Sequence, residues 1–479
     1  MKYEIVIGLE VHVELATNSK IFCACSAHSF GAEPNTHICP TCIGMPGALP
    51  VLNKKVVDYA IKAGLMLGCK INRISAFDRK SYFYPDLPNA YQITQYFSPI
   101  ATDGAVEIDT PCGKKRICIQ QIHMEEDAGK LVHDIGEGLS HIDYNRAGVP
   151  LLEIVSRPDI SSADEAEAYL ERLKTLLRYA RVAECEMAHG TMRCDVNLSV
   201  RPEGATAFGV RTEMKNMNSI DAIKRAIAYE SARHIAALES GEKLIQETRR
   251  WDESEGKTIS MRSKETAGDY RYAPDPNLLP LAVGEEWVAQ MRQTLPEFPE
   301  VKRERYMSEY ALSAYDAEQL TKSIALCECF EGALAVCNSP KDAANWMTGE
   351  VMSLLNAKKM TYDQLSLDSF KLGELILLVK QDKVGRANAK IILDAMFEDA
   401  TIHPEAYAKE HAFLISNDTE QIALVVKAVV DADARSVADY KSGKEKALMF
   451  LFGKCMKELK GNCNPQLLRQ ILCQYVAKC

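Results

Sequence analysis

YEIVIGLEVHVEL, residues 3–15, places apolar side chains at every odd position and polar side chains or glycine at the even positions, with Val6 as the one exception. Side chains of a β-strand alternate between the two faces of its sheet, so this pattern predicts a strand with one buried and one polar face. Residues 191–201 repeat the pattern. Such alternation is typical of an antiparallel sheet that is covered on one side, and not of a doubly wound parallel sheet.

Helical patterns interrupt the strands of this first part. Residues 161–180 and 219–240 carry apolar residues at three- and four-residue spacing after a serine start signal, and Gly241 offers a stop to the second. After TLPEFP, residues 294–299, helical patterns dominate, and residues 374–397 and 465–477 are amphipathic. We therefore predict an α+β domain at 1–293, an all-α domain at 294–404 and a helical tail at 405–479.

Length and composition indicate an ordinary globular protein. A chain of 479 residues is too long for one core, and 26% charged and 47% hydrophobic residues are typical values. Acids interrupt the N-terminal apolar stretch and no run of about 18 apolar residues occurs, which predicts a cytosolic protein without a membrane span. Sixteen cysteines spread over such a chain favour reduced thiols, with metal sites where they cluster.

The net charge of −9 is unevenly distributed. Residues 441–479 contain eight Lys or Arg and two acids, a local +6, which leaves −15 for the other 440 residues. A basic tail on an acidic body is a candidate surface for a nucleic-acid backbone, whose binding depends on Lys and Arg. The alternative at this point is a solvated helix face.

Paired cysteines give the sharpest metal signal: Cys23-x-Cys25, thirteen residues, then Cys39-Pro-Thr-Cys42-Ile-Gly44. Two thiolate pairs suit a tetrahedral Zn²⁺, and four filled positions would make the site closed and structural. His28 and His37 are possible substitute ligands, and four buried cysteines without a metal are the alternative.

A second candidate site lies on the polar strand faces. By strand parity Glu10 and His12 project together, Glu125 shares a face with Gln121, His123 and Asp127, and Glu126 turns the other way. Asp195 and Glu213 occupy the polar faces of two further strands. If these strands are neighbours, their side chains form an oxygen-rich site of the kind that Mg²⁺ with ATP requires; a solvated face with charge pairs is the alternative.

Several catalytic motifs do not occur in the sequence. It has no GxxxxGK[ST] loop, no GxGxxG after a strand, no GxSxG elbow and no Gly-Gly-Ser-Ser-Gly stretch of the amidase type. The chain is therefore not expected to release ammonia from glutamine by itself.

Ten stretches spread over nearly the whole chain carry a resemblance to a known family: EIVIGLEVHVEL, CPTCIGMPGALPVLN, FDRKSYFYPDLPNAYQITQ, HMEEDAGKLVHD, DYNRAGVPLLEIVSRPDI, GTMRCDVNLSVR, TEMKNMNSI, QETRRWDE, RSKETAGDYRYAPDPNL and the tail GKEKALMFLFGKCMKELKGNCNPQLLRQIL. With these stretches the chain resembles the B subunit of aspartyl/glutamyl-tRNA(Asn/Gln) amidotransferase. The resemblance implies a cradle-shaped catalytic domain related to the glutamine synthetase fold, a helical domain and a tRNA-binding tail. It also implies two partners, an amidase A subunit and a small C subunit, in a heterotrimer.

The implied reaction is ATP-dependent activation of the side-chain carboxylate of Glu-tRNA(Gln), Asp-tRNA(Asn) or both, followed by amidation with ammonia that arrives through a protein tunnel. The resemblance implies catalytic and Mg²⁺-binding roles for Glu10, His12, Glu125 and Asp195, with Glu153 and Glu213 as further members of the nucleotide site. It implies a catalytic role for Lys80 and nucleotide- or tunnel-mouth roles for Arg79, Tyr82 and Tyr84.

Asn89 stands where the family often has Lys, and Ala273 where Phe is commoner. Two other functions compete with the amidotransferase. A zinc-stabilised tRNA carrier would leave the carboxylate-rich strand faces unexplained. A free-standing carboxylate–amine ligase would have no use for a basic tail.

Overall fold

The computed structural model describes residues 2–134, 138–263, 270–415, 419–459 and 463–478. The chain forms two compact units, Met1–Phe298 and Pro299–Cys479. The first unit is rich in β-sheet and the described part of the second is largely helical, which makes the fold α+β. The division into three domains at 293 and 404 stays a prediction.

The first unit contains sixteen strands among its described residues. They are β1 Tyr3–Glu14, β2 Lys70–Ile71, β3 Ile74–Ser75, β4 Asp78–Ser81, β5 Tyr91–Thr94, β6 Ala101–Thr110, β7 Gly113–Glu126, β8 Lys130–Asp134, β9 Leu139–Asp143, β10 Pro150–Ser156, β11 Met192–Pro202, β12 Thr212–Lys215, β13 Glu247–Asp252, β14 Lys257–Ser263, β15 Ala273–Pro274 and β16 Leu281–Ala282.

The helices of the first unit are α1 Lys54–Met66, α2 Ala163–Tyr179, α3 Ile220–Ser240 and α4 Glu285–Gln293. Those of the second are α5 Pro299–Glu309, α6 Ala314–Leu320, α7 Ile324–Cys337, α8 Pro340–Trp346, α9 Met352–Ala357, α10 Ser369–Lys380, α11 Arg386–Glu398, α12 Pro404–Glu410, α13 Thr419–Ala432, α14 Ala434–Lys441, α15 Glu445–Glu458 and α16 Pro465–Lys478.

Nine strands form the main sheet, in the order β14-β13-β12-β11-β1-β10-β7-β6-β2. All neighbouring pairs are antiparallel except β12 and β13, which run parallel. The sheet is therefore mixed, and the expectation of a wholly antiparallel sheet was wrong at this pair. A parallel neighbour needs a long crossover connection, and α3 supplies it between β12 and β13.

One face of this sheet is buried, as the alternation in β1 predicts. Leu9, Val11 and Val13 are fully buried, and α1, α2 and α3 pack on the sheet. Both predicted long helices begin at serine caps: Ser162 Oγ accepts from Glu165 N, and Ser219 Oγ accepts from Ala222 N. The opposite face of the central strands carries the polar side chains.

The amphipathic stretch 374–397 is divided between two helices. Helix α10 ends at Lys380, Asp382 takes a left-handed conformation with φ 53°, and Gly385 caps the start of α11. The apolar periodicity continues across this turn, so sequence alone did not reveal it. Within the tail, α13–α16 bury a core of their own that includes Leu451, Leu468 and Leu472. No described helix is both long enough and apolar enough to cross a membrane.

Candidate active site

The strand order brings the polar residues of five strands together on one face. Strand β1 lies between β11 and β10, so Glu10 faces Asp195 on one side and His12 faces Glu153 on the other. Strand β10 separates β1 from β7 and places Glu153 opposite His123. Further out, Glu213 on β12 pairs with Asn197 on β11. The predicted set is therefore contiguous, with Glu153 in its middle.

The first cluster consists of two histidines and two glutamates. His12 Nε2 lies 3.2 Å from Glu153 Oε2 and 3.6 Å from Glu125 Oε1. His123 Nε2 lies 3.1 Å from the same Glu153 oxygen and 3.6 Å from Glu125 Oε2. One donor atom each of His12, Glu125 and Glu153 lie within 4.8 Å of one another, close enough to bind a single cation.

Electrostatics in this cluster favour charged histidines and a charged Glu153. Burial opposes the charged form of His123, but the carboxylates of Glu153 and Glu125 outweigh it and raise the pKa of His123 to about 10. Burial also opposes the charged form of His12, but the carboxylates of Glu153, Glu125 and Asp195 outweigh it and raise the pKa of His12. Burial would raise the pKa of Glu153, but His123 and His12 hold it well below its usual range. Glu153 therefore bridges the two histidines as a carboxylate.

A second cluster lies beside the first and consists of Glu10, Asp195 and Glu213, whose donor oxygens also lie within 4.8 Å of one another. Lys215 contacts the Asp195 carboxylate, and its Nζ lies 3.3 Å from Glu213 Oε1. Asn197 Nδ2 donates to Glu10 Oε1 at 2.8 Å. Burial, and then the charges of Glu153 and Glu213, raise the pKa of Glu10. Three carboxylates thus lie close together around the ammonium group of Lys215.

Lys80 is the predicted basic residue that faces these clusters. Burial opposes its ammonium form, but Glu125, then Tyr272 and Glu153, raise its pKa. Its Nζ lies 5.0 Å from the centre of the Tyr270 ring and 5.9 Å from that of Tyr82. The ammonium group thus lies near two aromatic rings whose centres are 6.1 Å apart.

The other residues that the family resemblance implies for the nucleotide site lie outside the two carboxylate clusters. Arg79 alternates with Lys80 along β4, and its Nε donates to Asp275 Oδ2 at 2.7 Å. The guanidinium also stacks over the Tyr91 ring at 4.2 Å. Burial raises the pKa of Tyr82, and Tyr84 is 55% exposed. The charges of Glu125 and Glu153 thus act on Lys80, whereas Arg79 forms an ion pair with Asp275.

Glu126 points away from its neighbour Glu125, as parity predicts. Its Oε1 accepts from Ile93 N at 3.0 Å, and burial raises its pKa to about 7. It lines a cavity of about 30 Å³ together with Asn89, Cys23 and Cys42. Neither of the two departures from the family pattern touches the carboxylate clusters, since Asn89 lies here and Ala273 pairs with Arg79 on β4.

The four predicted cysteines lie together. The sulfurs of Cys23, Cys25, Cys39 and Cys42 are within 4.8 Å of one another. Cys39 N donates to Cys42 Sγ at 3.2 Å, as expected of a turn that directs amides at sulfur. Hydrogen bonding from the Cys23 thiol lowers the pKa of Cys42 to about 4, against the effect of burial. His28 and His37, both described, are not part of this group, and His37 Nδ1 lies 3.0 Å from the His28 carbonyl oxygen.

A cavity of about 1200 Å³ adjoins the continuation of the polar face. Glu14, next on that face of β1 after His12, lines it, and burial followed by the charge of Asp127 raises the pKa of Glu14 to about 7. Arg146 also lines it and lies 3.5 Å from Asp127 Oδ2. Sequence analysis did not find this cavity, because its walls come from separate loops at residues 27–35, 141–146 and 184–191.

Sequence reasoning also gave no role to His123 and Lys215. Strand parity could have indicated both residues, because His123 shares a strand face with Glu125 and Lys215 shares a strand face with Glu213. Their importance depends on contacts with Glu153 and Asp195, which lie on other strands.

This fold and site define a catalytic domain of the GatB/GatE type: residues 5–289 match the family model described as "GatB/GatE catalytic domain", and residues 328–476 match the model described as "GatB domain". The chain is 50% identical over 478 residues, covering all of both chains, to the aspartyl/glutamyl-tRNA(Asn/Gln) amidotransferase B subunit of Caldanaerobacter subterraneus. Proteins of the same description from Caldicellulosiruptor saccharolyticus (50%, all of both chains) and Lachnoclostridium phytofermentans (49%, 99% of both) are similarly close. The chain belongs to the family of aspartyl/glutamyl-tRNA(Asn/Gln) amidotransferase B subunits.

Proposed function

We propose that this chain uses ATP to activate the side-chain carboxylate of a misacylated tRNA, Glu-tRNA(Gln), Asp-tRNA(Asn) or both, so that ammonia converts it to the amide. The observation that carries the proposal is the pair of adjoining clusters on one sheet face, five carboxylates with two histidines. A cavity of about 1200 Å³ is lined by Glu14, the residue that follows His12 on the same face of β1. Family membership supports the substrate, because the relatives are named for tRNA(Asn/Gln).

The donor set fits divalent cations. Carboxylate oxygens are the ligands Mg²⁺ prefers, and the two clusters gather them from neighbouring strands. In addition, Asn197 Oδ1 is buried without a hydrogen-bond partner among the described residues, which leaves an oxygen free beside Glu10. Glu10, Glu125 and Asp195 would hold Mg²⁺ through carboxylate oxygens, with Glu153 and Glu213 completing the two groups. His12 would join them as a neutral imidazole, which requires that it loses its proton when the cation binds. When bound, Mg²⁺ neutralises charge on ATP oxygens.

The reaction needs activation because a carboxylate would have to expel oxide when an amine attacks. A carboxylate oxygen of the substrate attacks the γ-phosphorus of ATP, the bond to the bridging oxygen breaks, and ADP leaves. Ammonia then attacks the acyl carbon, phosphate departs and one proton is lost to solvent or a base. Lys80, held as an ammonium group beside Glu125, would bind the transferred phosphoryl oxygens. A nucleotide role for Arg79, Tyr82 and Tyr84 stays a prediction.

The remaining parts of the proposal concern architecture and partners. The sheet would form a cradle related to glutamine synthetase, and the four-cysteine group would bind a structural Zn²⁺. An amidase A subunit would supply ammonia and a small C subunit would complete a cytosolic heterotrimer. The basic residues of 441–479 would contact the tRNA backbone.

The test is ATP hydrolysis and amide formation by the complex with its A and C partners. With ammonium salts in place of glutamine, phosphate release should require the misacylated tRNA and should be absent with the same tRNA deacylated. A tRNA carrier would bind both tRNAs without consuming ATP. A free-standing ligase would consume ATP with a small carboxylate alone, and either result would replace the proposed function.

A further inference from the structure

Lys20 is a lysine with no exposed surface, and it lies against the four-cysteine group. Its Nζ donates to the carbonyl oxygen of His37 at 2.8 Å and lies 3.4 Å from the carbonyl oxygen of Tyr144 and 3.5 Å from Cys42 Sγ. No carboxylate of the described residues lies within 4.0 Å of Nζ. A buried ammonium group needs compensating charge, and its partners here are a sulfur and two carbonyl dipoles.

The net charge of a zinc-bound four-cysteine group explains why a buried ammonium group lies beside it. Four thiolates around Zn²⁺ carry a net charge of −2, and placing such a charge in a protein interior is unfavourable unless a cation lies close. The ammonium group of Lys20, whose Nζ lies 3.5 Å from Cys42 Sγ, compensates half of this net negative charge. Groups that hydrogen-bond to the ligands of a metal typically change its affinity by about 10- to 100-fold.

Lys20 also joins both cysteine pairs to the loop that leads into β10. Its backbone N donates to Cys25 O at 3.0 Å, while its side chain reaches Cys42 and Tyr144. Ile21 N donates to Gly148 O at 3.0 Å. The loop at residues 144–149 therefore has its position set from the cysteine group through residues 20 and 21.

The same loop contributes to the wall of the large cavity. Arg146 lines the large cavity, and Gly148 N donates to Asp127 O at 2.9 Å, immediately after the end of β7. Strand β10, which carries Glu153, begins at Pro150. A displaced Lys20 side chain would therefore move a cavity wall without touching the reacting atoms.

We propose that Lys20 is a positioning residue of the metal centre: its ammonium group compensates the thiolate charge, and its contacts hold the loop at residues 144–149 against the cavity. This inference rests on the proposed Zn²⁺ site. The expected consequences of removing the charge are weaker Zn²⁺ binding and a raised KM for the misacylated tRNA, with a smaller change in kcat.

The test compares Lys20→Met and Lys20→Gln with the wild-type complex. Zn²⁺ content is measured first, and Zn²⁺ affinity then by competition with a chromophoric chelator. Both variants should bind Zn²⁺ about 10- to 100-fold more weakly. Lys302→Met is the matched control, since Lys302 is 6% exposed and pairs with Glu331 in the second unit, and it should leave Zn²⁺ affinity unchanged.

Each outcome has a separate meaning. No Zn²⁺ in the wild-type protein would refute the metal site itself. Wild-type Zn²⁺ with affinity within about twofold in a folded Lys20→Gln variant would overturn the role of the Lys20 charge alone. If Lys20→Met does not fold, as judged by circular dichroism, Lys20→Gln decides, because it keeps a hydrogen-bond donor and lacks the charge. An equal loss of Zn²⁺ affinity in Lys302→Met would assign the effect to general destabilisation, and would also overturn the proposal.

Discussion

Buried carboxylates occur on both sides of the main sheet, but their negative charge is compensated differently on the two sides. On the side covered by α3, Glu230 of that helix and Glu247 of β13 pair with two arginines: Arg233 Nη2 lies 2.5 Å from Glu230 Oε1, and Arg249 Nη1 lies 2.7 Å from Glu247 Oε1. Thr258 Oγ1 also donates to Glu230 Oε2 at 2.7 Å. Burial opposes the charge of Glu230, but hydrogen bonds from His234, Arg233 and Thr258 lower its pKa to about 2.

On the polar face the carboxylates crowd one another instead. Three of them, in the cluster of Glu10, Asp195 and Glu213, share one lysine, and the pKa of Glu10 is raised. A charge-balanced network stabilises a fold, whereas a group of carboxylates short of cations is a site that a metal and a phosphate substrate complete. Charge balance thus distinguishes the structural acids on the helix-covered side of the sheet from the functional acids on its polar face.

The largest effect is expected for Glu125→Gln, which keeps size and removes a charge from the first cluster. Amidation by the complex should fall by on the order of 10²-fold or more, about 3 kcal/mol of transition-state stabilisation. The thermal unfolding midpoint and tRNA affinity should change little, because Gln keeps the size and hydrogen-bonding capacity of the side chain and Glu153 still pairs with both histidines. Single-turnover amidation with ammonium salts measures the effect.

Glu126→Gln is the matched control for this change. The two carboxylates are adjacent in sequence and differ in the sheet face that they occupy, with Glu126 bound to Ile93 N. Its loss should reduce the rate less than that of Glu125. A rate abolished by Glu126→Gln and kept by Glu125→Gln would contradict the assignment of the two faces.

Glu230→Gln should show the opposite behaviour. Removing the charge that accepts hydrogen bonds from His234, Arg233 and Thr258 should lower the free energy of unfolding by about 3 kcal/mol, the size implied by a pKa lowered from 4.5 to about 2. Urea denaturation measures this change. The rate of amidation per folded complex should stay within about threefold of wild type, since the residue lies on the helical side of the sheet. A selective loss of activity at unchanged stability would reverse our assignment.

The stability difference between Glu230→Gln and wild type should depend on pH. Because the pKa of Glu230 is lower in the folded than in the unfolded protein, its contribution is fully present above the unfolded value of about 4.5 and is lost as pH falls towards about 2. Urea midpoints at a series of pH values should therefore converge across that range. A difference that stays constant down to pH of about 2 would mean that Glu230 contributes through packing and not through charge.

The smallest effect is expected for Lys215→Met. Without this ammonium group, Asp195 and Glu213 would each lose an ion pair, so saturating Mg²⁺ should raise the thermal midpoint more in the variant than in wild type. Arg225→Met, which removes exposed ion pairs to Asp221 and Glu253, is the control and should leave the Mg²⁺ response unchanged. An equal Mg²⁺ response in all three proteins would argue against cation binding at the second cluster.

The alternation in β1 and the cysteine spacing determined much of this protein from sequence alone. Period two assigns each side chain to a face, so the opposite orientations of Glu125 and Glu126 were predictable, as was the grouping of four cysteines within a short loop. Both are local properties, fixed by strand geometry and by a few turns of chain. Family motifs, not periodicity, pointed to Glu153.

Tertiary structure alone decided which strands are neighbours. The placement of β10 between β1 and β7 puts Glu153 between two histidines, and the pairing of β4 with β15 brings Arg79 to Asp275. The large cavity arises in the same way, from loops far apart in sequence. Strand order is set by the packing of the whole sheet and its helices, and a pattern that repeats every two residues carries no information about which partner lies alongside.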